Sequence, residues 1–337
     1  MITKIFDDQY NKNIQETSKN TNILETKTAK QWLEEGKKLE NPKALFGQIW
    51  HQGEVAIVFA NTGKGKSALA VQIADGISKG QPILGLETAK SKVLYIDFEL
   101  STKSYQLRYT SESGELYKFN ENFLRAEISK KSILFSEDES FEEKLIKSIE
   151  ELSIESQAEV IIIDNITFLS ASNEKSKEAL ELMKLILQIS RKNTNPKAIL
   201  LIAHTPKRDK FRPIQLEDLA GSKALSNFTD VCFCIGESVQ GSDVRYIKQL
   251  KNRNYPIVFD HQNVLNCQMI KSEGFLQFEF LDFGKEIDHL VDSKDEKEER
   301  NERVRELNAK GLSNVKIAHK LNISESTVRR ILKNDEK

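Results

Sequence analysis

The sequence predicts an α/β fold with a mainly parallel central sheet, followed by a small all-α domain. Three observations predict it. From Ala44 onward, short apolar runs rich in β-branched residues alternate with longer segments of helical periodicity, the pattern of strands joined by crossover helices. A glycine-rich turn connects the first of the strong runs directly to a good helix-former. Near the C-terminus the β-rich runs cease and only short helical periods remain.

A chain of 337 residues has room for one large domain and an appendage. Its 39% apolar and 30% charged residues belong to an ordinary soluble protein, and no apolar run approaches the roughly 18 residues that span a bilayer. The opening MITKIFDDQYNKN lacks the apolar stretch of a secretory signal, so a cytoplasmic protein without membrane contact is expected. A net charge of −1 gives no support to a globally nucleic-acid-binding surface and leaves only local basic patches for that role. Cys232 and Cys234 fall on one face of an apolar strand as small core residues, and no Cys/His spacing suggests zinc.

In chain order, residues 1–43 are polar and expected to be largely mobile, with Trp32 and Leu33 as their only anchor. Residues 44–285 form the main domain. Its predicted strands are Val55 to Ala60, Val93 to Asp97, Val160 to Asp164, Ala198 to Ala203 and Val231 to Ile235, with terminal strands at Arg245 to Leu250, Ile257 to Asp260 and Phe275 to Leu281. Helices are predicted over Ser140 to Leu152 and Glu178 to Arg191. Residues 286–300 read as a charged linker and 301–337 as the second domain.

The turn after the first strand is ANTGKGKS, Asn61, Thr62, Gly63, Lys64, Gly65, Lys66 and Ser67 following Ala60, with Ala68 opening the helix. This is the spacing of a phosphate-binding loop, in which backbone N–H groups at a helix N-terminus face the phosphates of ATP. Lys66 would neutralise β/γ oxygens and Ser67 would ligate Mg²⁺. Asp164 ends a buried strand, where its carboxylate can hold a Mg²⁺-bound water. In KVLYIDFELS, Glu99 is placed to polarise the attacking water; a solvated loop carboxylate is the alternative for that residue taken by itself.

With these motifs in order the chain resembles the RecA-like P-loop ATPases, especially the branch of RepA-type and DnaB-type hexameric helicases. The resemblance spans roughly residues 44 to 260 and rests on ANTGKGKS, YIDFE, VIIIDN, ILLIAHTPKR, DLAGSKALSNFTDV and IKQLKNRN. It implies a RecA-like core and places the glutamate after the second strand, at Glu99. In AAA+ proteins it would directly follow the acidic strand end, where this chain has Asn165. It further implies that His204 senses γ-phosphate and that Thr205 to Gly221 is a central-channel loop. Lys207, Arg208, Lys210 and Arg212 there would contact single-stranded DNA. Lys251 and Arg253 would reach a neighbouring subunit's nucleotide, which requires a homo-oligomer, a hexamer being favoured.

The C-terminal run ERVRELNAKGLSNVKIAHKLNISESTVRRILK reads as three short helices broken at Gly311 and Asn322. It resembles the helix-turn-helix of resolvases and LuxR-type regulators, which implies duplex DNA contacts from Ser326, Thr327, Arg329 and Arg330. A protein-binding bundle stays open for the same pattern. The expected function is therefore an ATP-hydrolysing, Mg²⁺-dependent DNA protein, a helicase or helicase-like motor in replication or mobilisation of a plasmid, phage or other mobile element. The alternative is a RecA-family recombination or transcription regulator that binds a duplex site without unwinding.

Overall fold

The computed structural model describes residues 24–129, 141–169, 176–191, 196–205, 212–219, 223–290, 294–321, 323 and 325–334. The chain divides into two units, 1–42 and 43–337. The first contributes one described helix, α1 (Ala29–Gly36), inside the segment expected to be polar and mobile; a reciprocal capping box between Thr28 and Gln31 closes its N-terminus.

The second unit opens with a small hairpin, β1 (Ala44–Phe46) and β2 (Trp50–His51). A nine-stranded sheet follows, made of β3 (Val55–Ala60), β4 (Val93–Asp97), β5 (Phe123–Ala126), β6 (Val160–Asp164), β7 (Ala198–His204), β8 (Val231–Glu237), β9 (Val244–Asn252), β10 (Val264–Ser272) and β11 (Phe275–Gly284). Its order is β11-β10-β9-β8-β3-β7-β6-β4-β5. From β8 to β5 every pairing is parallel, and β9 to β11 add an antiparallel meander at one edge. The sheet is thus mostly parallel, as expected.

The parallel strands are buried on both faces, which is why they read as continuous apolar runs. Along β3, Ala56, Val58 and Ala60 join a core with α2 (Lys66–Lys79), whereas Val55, Ile57 and Phe59 point to the opposite core. That second core is filled by Ile146 and Ile149 of α4 (Phe141–Glu155) and by Leu182, Met183, Ile186 and Ile189 of α5 (Ser176–Arg191). The result is an α/β/α sandwich. Two further short helices are α3 (Thr102–Arg108), after β4, and α6 (Lys223–Phe228), just before β8.

The terminal strands differ from the sequence reading. Ile257–Asp260 is a loop: Pro256 cannot donate to a ladder, and the buried Gln249 side chain accepts the N–H groups of both Val258 and Phe259 at 3.0 Å. The strand lies instead at β10, whose Asn266 and Gln268 obscure the apolar pattern. The short β5 was also not expected. Residues 286–300, expected as a linker, contain α7 (Glu286–Leu290) and the start of α8 (Lys294–Ala309).

Two helices complete the chain, α9 (Asn314–Lys320) and α10 (Glu325–Asn334). Val304 and Leu307 of α8, Ile317 and Ala318 of α9, and Val328 and Ile331 of α10 share one hydrophobic cluster. Gly311 between α8 and α9 has φ +77°, a conformation that glycine adopts without strain. Among the described residues no helix is long and apolar enough to cross a membrane.

Candidate functional site

In open α/β sheets ligands bind beyond the carboxyl ends of the strands. Here β7 lies between β3 and β6, with β4 beyond them. Ala60 and His204 are register partners, and so are Asp97 and Asp164. Four adjacent strand ends therefore bring together the loop after β3, His204, Asp164 and the turn carrying Glu99.

A cavity of about 510 Å³ opens there, lined by Thr62, Gly63, Gly65, Lys66, Ser67 and Ala68 together with Glu99, Arg108, His204, Met269 and Leu276. The loop turns into α2 at Gly65, whose φ of +95° places it in the left-handed region. A side chain at Gly65 would also meet the meander, since its Cβ would stand 2.5 Å from Phe278 Cζ. Gln72 fastens the same meander to α2, its side chain donating to Phe278 O at 2.8 Å and accepting from Phe278 N at 2.9 Å.

Lys66 is buried, and its Nζ donates to Ala60 O and Asn61 O, each at 3.0 Å. Burial lowers its pKa, while the charges of Glu99 and Asp164 act in the opposite direction. Asn61 and Lys64, predicted as nucleotide contacts, turn away from the cavity lining and engage Glu237.

Asp164 is 1% exposed. Burial pushes its pKa up to about 6, against the hydroxyls of Tyr95 and Ser67, which favour the carboxylate. Tyr95 donates to Oδ2 at 2.6 Å, and Oδ1 is buried without a hydrogen-bond partner. An orphaned carboxylate oxygen beside a serine hydroxyl suits a hard divalent cation such as Mg²⁺, which takes oxygen ligands.

Asp97 does other work. Its Oδ1 accepts the N–H groups of Glu99 and Leu100 at 3.0 and 2.9 Å, and its Oδ2 pairs with Arg125 at 3.0 Å. It shapes the turn that presents Glu99. The Glu99 Oε1 receives the Asn165 amide and lies 3.5 Å from His204 Nε2. The hydrogen bond with His204 is the chief cause that holds Glu99 below its ordinary value. Asn165 Nδ2 is 3.1 Å from His204 Nε2, and His204 Nδ1 is buried without a partner.

The remaining predicted residues lie elsewhere. Lys251 caps α6, donating to Ser226 O and Thr229 O at 2.6 and 2.7 Å, with burial lowering its pKa. Arg253, with 46% of its side chain exposed, pairs with Asp230 at 3.2 Å and donates to Asn227 O at 2.9 Å. Neither lines the cavity. Arg212 is exposed and pairs with Asp218, whereas Lys207, Arg208 and Lys210 fall outside the described residues. Arg329 is exposed on α10 and pairs with Glu325 at 2.7 Å; the side chains of Ser326, Thr327 and Arg330 also fall outside the described residues.

Arg108 was missed by the sequence reading. It ends α3, nine residues past Glu99, and no motif marks it; the fold alone turns it into the cavity. Met269 and Leu276 were missed for the same reason, arriving on the meander from far along the chain. A family model described as an AAA domain matches residues 22–210, more than half of the chain. The chain matches no curated protein.

Proposed function

The chain belongs to the AAA-domain family of P-loop ATPases, and from that premise we propose that it is a DNA-stimulated motor of the RecA-like, RepA/DnaB-type branch. The observation that carries the branch assignment is where the glutamate sits. Glu99 enters the cavity from the end of β4, while Asn165 occupies the position after Asp164.

In this reading Thr62, Gly63, Gly65 and Lys66 receive the phosphates of ATP, and Lys66 exchanges its two carbonyl partners for phosphate oxygens. Ser67 and Asp164 hold Mg²⁺, which when bound neutralises charge on the transferring phosphoryl group. Glu99, kept ionised by His204 and Asn165, takes the proton of the attacking water. His204, whose ring touches both Glu99 and Asn165, reads whether the terminal phosphate is present and passes that state to Thr205 and the basic residues beyond it. Arg253 completes the site of the next subunit in a ring, favoured as a hexamer, releasing its half-exposed pair with Asp230. The basic loop with Arg212 faces single-stranded DNA, and α10 faces a duplex.

A second reading is favoured by the shared cluster of α8, α9 and α10, which supports a compact helix-turn-helix. Here ATP state controls assembly of a duplex-binding recombination or transcription regulator that unwinds nothing. One assay separates the two: hydrolysis of ATP by the full chain with single-stranded, duplex or no DNA, and Lys66→Ala as blank. The motor requires stimulation by single strands, approaching the roughly 100-fold that one well-placed catalytic group contributes. Turnover indifferent to single strands but tied to one duplex sequence would leave the regulator.

A further inference from the structure

Three neighbouring strand ends meet at the phosphate loop, those of β7, β3 and β8. Asn61 is the first residue after β3, and its amide is bonded on both sides. The hydroxyl of Thr205, the first residue after β7, donates to Asn61 Oδ1 at 2.6 Å. Asn61 Nδ2 donates to Glu237 Oε1 at 2.8 Å, and Glu237 Oε2 pairs with Lys64 Nζ at 2.8 Å. Glu237 closes β8, the strand paired with β3 on the side away from β7. An ionised carboxylate only accepts, so Glu237 sets which way the Asn61 amide faces, and the amide oxygen is left for Thr205.

We propose that Glu237 is the positioning residue of the phosphate loop, gripping it at its first residue and again just before Gly65, with Asn61 and Thr205 extending the grip to β7. The proposal rests on the reading of this loop as the nucleotide site. A loop whose N–H groups must converge on one phosphate costs ordering entropy on binding unless something holds it beforehand. The loop itself supplies little hold, since Gly63 and Gly65 stand at φ +75° and +95°. The bonds from Lys66 to Ala60 and Asn61 are the ones that phosphate would replace. The contacts of Glu237 survive binding, because Asn61 and Lys64 lie outside the cavity lining. With side chains 26% and 29% exposed, Glu237 and Lys64 are partly withdrawn from water; burial pushes the Glu237 carboxyl up, and the bonds from Lys64 and Asn61 outweigh it and hold the carboxyl below its ordinary value.

The test is titration of the full chain with a fluorescent ATP analogue, paired with steady-state hydrolysis. Glu237→Ala is expected to weaken nucleotide binding about tenfold, the size of one or two charge-assisted hydrogen bonds, while kcat at saturating ATP stays within about threefold. Asn61→Asp sets two carboxylates against each other and weakens binding at least as much. Asn61→Asp combined with Glu237→Gln exchanges donor and acceptor, and binding returns to within about threefold of the unsubstituted chain. A merely structural glutamate would depress kcat and thermal stability together and show no rescue by the exchange. Should Glu237→Ala fold poorly, the near-isosteric exchange pair decides alone. Unchanged affinity in Glu237→Ala, or a double variant no better than Asn61→Asp, overturns the proposal. Failure of the unsubstituted chain to bind nucleotide would sink the site reading as well, whereas normal binding with an inert Glu237 sinks the clamp only.

Discussion

Asp164 is a carboxylate held in the core with one oxygen satisfied by Tyr95 and the other by nothing. Its pKa is raised from 3.8 to about 6, so folding favours the protonated form. That contribution is complete at acid pH and is lost as pH rises through the folded value, leaving a penalty at pH 8 of roughly 3 kcal/mol, from about 1.4 kcal/mol per unit. Asp164→Asn keeps an acceptor for Tyr95 and removes the charge. The nucleotide-free variant is expected to melt several degrees above the parent at pH 8 and no higher at pH 4, while losing Mg²⁺-dependent hydrolysis; equal melting at pH 8 would refute the buried charge. Residues of this kind were legible in the sequence. Lys66 and Ser67 follow from the spacing of the loop, whereas the strand-end Asp164 and above all Glu99 needed the ordered set of motifs and the family resemblance beside local spacing. Glu237 was not legible, because its partners Asn61 and Lys64 lie far away in sequence and only the folded sheet brings them together, and Arg108 was not, because no motif marks it and only the fold turns it into the cavity.

Among elements, those buried on both faces announced themselves as unbroken apolar runs, and the five core strands β3, β4, β6, β7 and β8 were found within a residue or two of their ends. Half-buried elements did not. The burial of β5 falls to intermediate after Phe123, and β10 interleaves Asn266 and Gln268 with its apolar residues. Long-range pairing, rather than local pattern, makes them strands. The junction between loop and helix gives a prediction at this scale. Gly65→Ala must place a Cβ at positive φ and displace the Phe278 ring. A cost of about 1–3 kcal/mol in stability is expected, with weakened nucleotide uptake, both measurable by thermal melting with and without ATP. Restoration of the parent's melting by Phe278→Leu would assign the cost to the clash rather than to φ.

At the level of the whole molecule, the proposed trans role of Arg253 and the proposed ring stand or fall together. Mass photometry is expected to show a subunit multiple, six being favoured, when ATP and single-stranded DNA are present. Arg253→Ala is expected to bind ATP and assemble normally but lose about 10³-fold or more in turnover, the range of an arginine finger. A persistent monomer, or unimpaired Arg253→Ala, would remove the trans assignment. Lys251 is more deeply committed within its own subunit than Arg253, so its substitution should act first on α6, whose terminal carbonyl groups it holds.

The grip of Gln72 on the backbone of Phe278 has a mechanical consequence. The helix that begins at the ATP loop is stapled to the outermost strand, and that strand ends at Gly284, two residues from Glu286. Glu286 in turn holds Lys248 and the backbone N–H of Ile214, close along the chain to Arg212. Were α2 to shift, these bonds would tie its movement around the far rim of the sheet to Ile214 and Arg212, a connection separate from the proposed one through His204.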